Sequence, residues 1–254
     1  MMRILAVLIL VVSWGGVCRA AGVKGTPHDL SASSPTTGPK ATAETQLCVF
    51  CHTPHGASQE RDLWNHQLSA VTQYTLPSSP TQLSTPTNPP DGSSKLCLSC
   101  HDGTVAIGAV LRDAEQGNVT ISLTGTGPGG VMSGSPVPGQ HASANLGTDL
   151  SGTHLVSIAV NDQLISDKNA QYANNLTSMQ LAYPPPGDPV KLSITGNLYK
   201  GQPGKNSLGV QCTSCHDPHD NTNGMFLVKP VTDSTQTNLT LQGGTLCETC
   251  HPVL

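Results

Sequence analysis

Four short segments stand out by residue type and spacing: Cys48-Val49-Phe50-Cys51-His52, Cys97-Leu98-Ser99-Cys100-His101, Cys212-Thr213-Ser214-Cys215-His216 and Cys247-Glu248-Thr249-Cys250-His251. Each reads C-x-x-C-H, the attachment signature of c-type haem. Two thiols three positions apart can each form a thioether to one of the two vinyl groups on a porphyrin edge. The adjacent His then lies under the ring and donates a nitrogen to iron as proximal ligand. Of the nine cysteines in the chain, only Cys18 lies outside these segments. Disulfides and zinc are the competing uses of paired cysteines. Neither accounts for a His after the second Cys in every copy, with no Cys beyond Cys18 left over. The motifs predict four haem c groups attached through Cys48, Cys51, Cys97, Cys100, Cys212, Cys215, Cys247 and Cys250. The proximal iron ligands would be His52, His101, His216 and His251.

The second axial position of each iron decides between electron transfer and catalysis. Apart from the four motif histidines, the ten histidines include His28, His55, His66, His141, His154 and His219. That supply exceeds four irons, so bis-histidine coordination is expected at each, with no open site and no enzymatic activity. Met132, Met179 and Met225 then read as packing residues. His55 follows His52 by three residues and His219 follows His216 by three, each beyond a Pro. Three residues span at most about 10 Å, too little to round a porphyrin edge, so each of these imidazoles should reach a neighbouring haem. His28, in a short N-terminal arm, and His154, before the apolar run Leu155 to Val160, are further candidates. His66 and His141 are surplus to four irons, and for His66 a capping or surface role competes with ligation.

The elements that must carry these groups are built from an unusual composition. Aromatic residues make up 3% of the chain and charged residues 11%, with 26 Gly and 20 Pro. So few large side chains make a poor polypeptide core, which argues against a helical bundle or coiled coil and for a non-polypeptide filler. A net charge of −4 removes the electrostatic basis for a nucleic-acid partner. At the start, Met1-Met2-Arg3, the apolar run Ile4 to Val12 and the small-residue exit at Cys18-Arg19-Ala20 read as a signal peptide over 1–20. The run is too short to span a bilayer, and no later segment is hydrophobic enough to do so. Export is therefore expected, with an extracellular or cell-surface destination and a periplasmic one as alternative.

Two haem-bearing segments, 21–110 and 211–254, are expected to flank a haem-free, β-rich insert over 111–210. In the insert, Val119, Ile121 and Leu123 alternate with polar residues, as do Val190, Leu192 and Ile194, which reads as half-buried strands of a small antiparallel sheet. Leu155 to Val160 reads equally as a third strand or a buried turn. Short helical turns are expected at the haem sites.

The stretches Leu47 to His55, Leu96 to Gly108 and Val210 to Asp220, together with Leu146 to Ser151 ahead of His154, resemble the multihaem cytochromes c of metal-reducing bacteria. The likeness is greatest to the extracellular tetrahaem nanowire type, whose subunits polymerise into conductive filaments. It covers most of the chain in motif order and is weak in the insert; Leu155 stands where Pro is expected. The resemblance implies an irregular multihaem cytochrome c fold, low in secondary structure. It implies distal ligands His28, His55, His154 and His219, and one axial His shared between subunits of a head-to-tail filament. Its partners would be other cytochromes or copies of itself. A monomeric periplasmic or outer-membrane-conduit shuttle is the alternative, and a multihaem reductase the less favoured third.

Overall fold

The computed structural model describes residues 22–54, 57, 63–79, 82–113, 117–134, 143–175, 179–195, 207–230 and 244–252. The leader at 1–20, His55 and His141 lie outside them. Regular structure is sparse, with 19% helix and 12% strand among the described residues. The irregular fold with small antiparallel sheets that the composition suggests is what the chain adopts.

In chain order the elements are β1 (Lys40–Ala41), α1 (Gly92–His101), β2 (Ala109–Asp113), β3 (Gly117–Thr120), β4 (Leu123–Thr124), β5 (Ile158–Ala159), α2 (Asp162–Asn174), β6 (Ser193–Thr195), β7 (Ser207–Val210), α3 (Cys212–Cys215) and α4 (Gly244–Glu248). Three antiparallel sheets result: β1 with β4, β2 with β3, and β5-β7-β6. The alternating run around Val119 to Leu123 does not form one strand. It divides between β3, which folds back on β2, and β4, which crosses to β1 near the N-terminus. The switch occurs where Ile121 donates its N–H to the Gly108 carbonyl at 2.8 Å, an approach so close that a Cβ at Gly108 would fall on the Ile121 carbonyl. Of the second alternating run, only Ile194 lies in a strand, while Val190 is buried in an apolar cluster. The ambiguous run Leu155 to Val160 supplies β5, paired to β7 as Ile158↔Val210 and Ala159↔Gly209.

The longest helix, α2, lies in the segment read as β-rich. Its physical basis is local. Asn161 caps it by accepting the Leu164 N–H at 2.8 Å, Asp162 sits in the first turn, and no Gly or Pro interrupts the thirteen residues. Its apolar positions are too few to announce a helix by periodicity, and none of its residues is fully buried. No helix among the described residues is long and apolar enough to cross a membrane.

Among the described residues no single core forms. Three small clusters take its place: Ala41, Val49 and Phe50; Tyr74, Leu98 and Leu150; and Val190, Leu227 and Leu246. Each gathers around cysteine-motif residues, with Val49 and Phe50 inside the first motif, Leu98 inside the second, and Cys215 and Cys250 against the third cluster. Between them the interior is polar and hydrogen-bonded. Gln211, 1% exposed, accepts the Ser94 N–H at 3.1 Å and donates to Asp91 at 2.9 Å, while Ser94 Oγ accepts the Cys212 N–H at 3.0 Å. This reciprocal clasp binds the start of α1 to the start of α3, and so the second cysteine motif to the third. Removing a buried partner strands its acceptors and donors. Gln211→Ala is therefore expected to lower stability by about 1–3 kcal/mol in denaturant unfolding, while Gln163→Ala on exposed α2 costs under about 0.5 kcal/mol.

Candidate functional site

Each cysteine motif closes into one helical turn. The His N–H bonds the first Cys carbonyl at 2.7 Å in His52–Cys48, 3.0 Å in His216–Cys212 and 2.9 Å in His251–Cys247, and in the second motif the same residues end α1. A turn of 3.6 residues puts positions i and i+3 on one face, so both thiols of a motif share a side. All eight motif cysteines are free thiols. Successive motifs are neighbours. Cys51 interacts electrostatically with Cys97 and Cys100, Cys97 hydrogen-bonds Cys212, and Cys215 interacts with Cys250 and Cys247. That hydrogen bond from Cys97 lowers the Cys212 thiol, while the same contact raises Cys97.

The histidines come together in pairs across long sequence separations. His28 and His101 have ring centroids 6.1 Å apart, His52 and His219 6.0 Å, and His154 and His251 6.3 Å. Each pair joins one motif histidine to one histidine outside the motifs. His219 thus meets the first motif and not its own His216, three residues away. His216 has no ring partner among the described residues, and His55 lies outside them. The Met179 and Met225 side chains are turned to solvent, 41% and 73% exposed.

A common device orients the rings. A carbonyl can only accept, so a ring nitrogen bonded to one carries the proton and leaves the other nitrogen's lone pair free. Nδ1 of His101 donates to Ala144 O at 2.8 Å, that of His216 to Met225 O at 2.8 Å, that of His251 to Gln180 O at 2.9 Å and that of His154 to Leu155 O at 2.8 Å. His28 bonds the Pro218 carbonyl, and Asp217 Oδ1 stands 3.5 Å from His219 Nδ1. Burial, followed by His101, holds His28 down at about 4, and burial likewise lowers His101 and His251. Neutral imidazoles with one free lone pair are what a metal requires.

The supporting carbonyls belong to segments that also grip the motif backbones. Leu146 donates to His101 O at 2.7 Å and Ala182 to Cys250 O at 2.8 Å. Asn145 braces the first segment by donating to Met132 O and Gly134 O at 3.1 Å and accepting from Gly147 at 3.1 Å. Asp102 follows His101 and accepts from Tyr74 Oη at 2.7 Å and from Thr104 at 2.8 Å. Lys229, largely buried, pairs with Asp188 at 2.6 Å and donates to Thr249 inside the fourth motif at 2.8 Å. The arm carrying His28 is shaped by the buried carboxylate of Asp29, which accepts from Gly25 at 2.8 Å and from Ser31 Oγ at 2.6 Å.

His66 is an internal brace. It is 1% exposed, with Nδ1 bonded to Gln67 O at 2.7 Å and Nε2 3.2 Å from Ile107 O and 3.4 Å from Cys100 Sγ. With the Nδ1–H given to Gln67 O, Nε2 is enclosed against Ile107 O and Cys100 Sγ. Trp64 and Phe226 enter the site without having been singled out for it by sequence reasoning. Trp64 lies edge-on to His52 at 6.4 Å and 88°, and Phe226 stacks on His28 at 4.2 Å and 15°. Neither has a spacing or motif that would mark it.

Whether these residues suit haem can be tested on their geometry. A metal–imidazole bond is about 2 Å, and a ring nitrogen lies roughly 1 Å from its ring centre, so two imidazoles trans to one metal have centroids about 6 Å apart. All three pairs meet that spacing. Among the described residues no group of three or more His, Cys, Asp and Glu converges on one point, as a zinc centre of paired cysteines would need. Trp64 Nε1, buried beside His52, has no hydrogen-bond partner among the described residues, and a carboxylate-bearing cofactor would offer one. The residues fit the group. No protein-family model matches the chain, and no curated protein matches it.

One backbone position beneath the second motif is checked directly. Gly103, at φ +69°, ends α1, and a Cβ there would come within 2.7 Å of the Asn145 amide. Gly103→Ala is expected to cost about 1–3 kcal/mol in denaturant unfolding.

Proposed function

We propose that this chain is an exported tetrahaem c-type cytochrome that carries electrons and has no catalytic site of its own. The observation that carries the reading is the pairing of motif and non-motif histidines at the separation of trans axial ligands. Each cysteine pair would hold one porphyrin through two thioethers. His52 with His219, His101 with His28 and His251 with His154 would supply both axial nitrogens of three irons, and His216 one nitrogen of the fourth. When bound, each haem supplies a one-electron Fe(III)/Fe(II) couple. The chain's own part would be to fix the His101, His154, His216 and His251 rings through their Nδ1–H, to exclude water with the small apolar clusters, and to keep successive attachment points adjacent.

Two imidazoles at each of these three irons would leave no position there for a substrate, which favours transfer over nitrite or sulfur-oxyanion reduction. Since three pairs close within one chain, a single subunit carries its own ligands for those irons. Extracellular electron transfer, with other cytochromes or copies of this chain as partners, is the cellular setting we propose.

Material matured in a host that attaches haem c is expected to gain four haem masses and to give low-spin spectra at every iron. No added tetrapyrrole would refute the reading. His219→Ala should retain four covalent haems and leave three of them low-spin. Combining it with His52→Ala should still leave three, because both ligands serve one iron, whereas His219→Ala with His216→Ala should leave two. Magnetic circular dichroism or electron paramagnetic resonance counts them.

A further inference from the structure

The turn following the third motif contains two consecutive residues in the left-handed region, Met225 at φ 48° and Phe226 at φ 57°. Neither is Gly, and such conformations persist only where their surroundings hold them. The hold here is extensive. Phe226 N–H bonds Asn221 Oδ1 at 2.9 Å, Leu227 N–H bonds Gly224 O at 3.0 Å, and Asp217 N–H bonds Phe226 O at 2.8 Å. Burying Met225 is not the reason for the strain, since its side chain is 73% exposed. What the turn places inward is the Met225 carbonyl, which takes the His216 Nδ1–H at 2.8 Å, and the Phe226 ring, which lies flat on His28. His28 pairs with His101 of the second motif, yet the Pro218 carbonyl that it bonds also belongs to the third motif's loop.

We propose that the Met225–Phe226 turn is a positioning device shared by two haem sites, setting the ring plane of His216 through a backbone carbonyl and that of His28 through aromatic stacking. It rests on the reading of these histidines as axial ligands. A ring stacked at this distance resists rotation of the imidazole about its metal–nitrogen axis, and the orientation of an axial imidazole shapes the magnetic anisotropy of a low-spin iron. Any movement of the turn therefore reaches the second and third irons together, and the third motif governs a ligand of the second.

The test uses the full haem-loaded protein and electron paramagnetic resonance of the oxidised state. The His28/His101 signal is first identified as the one lost in His28→Ala. Phe226→Leu should shift the g values of that signal and leave the other three in place, and Phe226→Tyr should restore the original spectrum. Asn221→Ala, which keeps the ring but loosens the turn, should shift two of the four signals. An unchanged spectrum in a Phe226→Leu protein bearing four haems would overturn the stacking role. A single shifted signal, or none, in Asn221→Ala would overturn the shared role, and this variant decides the matter if Phe226→Leu does not fold. Failure of the cytochrome reading itself looks different, because the unmutated protein would then carry no covalent haem.

Discussion

Imidazole pairs held 6.0–6.3 Å apart impose the constraint to which the rest of this chain answers. Each pair ties together segments remote in sequence: the N-terminal arm to the second motif, the third motif's tail to the first, and the insert to the fourth. His219 stands three residues past its own motif, yet its ring lies against His52 of the first motif. Most of the surrounding architecture serves to fix rings in place. Carbonyls at Ala144, Gln180, Met225 and Leu155 take Nδ1 protons, and three of those segments also bond a motif backbone.

The interior is assembled accordingly. Three small apolar clusters and a polar clasp around Gln211 and Ser94 replace a continuous core. In the proposed cytochrome, porphyrin faces between the clusters would provide the apolar contact that a chain with 3% aromatic residues lacks. The insert is not a separate layer in this arrangement. Its β4 pairs with β1 from the N-terminal segment, and its Val190 packs on Leu227 and Leu246 from the C-terminal one.

Legibility in the sequence differed by the range of the interaction. A C-x-x-C-H turn is complete within five residues, so its helical geometry and shared thiol face follow from local rules. The low content of regular structure follows from Gly, Pro and the scarcity of large apolar residues. Strand pairing was legible only in kind. The alternation at Val119 to Leu123 marks a half-buried surface, but two partners divide it, and the close pass at Gly108 that separates them is a tertiary event. Helix α2 escaped notice because its start is written in a cap, Asn161, and its length in the mere absence of breakers.

By itself, then, the sequence determined which residues can do chemistry, since residue type and spacing within a turn are covalent facts. Tether length is local too, so the expectation that His219 looks beyond its own motif was also legible, and its ring stands 6.0 Å from that of His52. Which imidazole faces which was decided only by the tertiary structure, as were the retirement of His66 into a brace and the entry of Phe226 and Trp64. These depend on carbonyls, ring planes and packing surfaces contributed by distant segments. Backbone carbonyls are the same at every residue, so nothing in the chain's lettering can mark the ones that hold a histidine still.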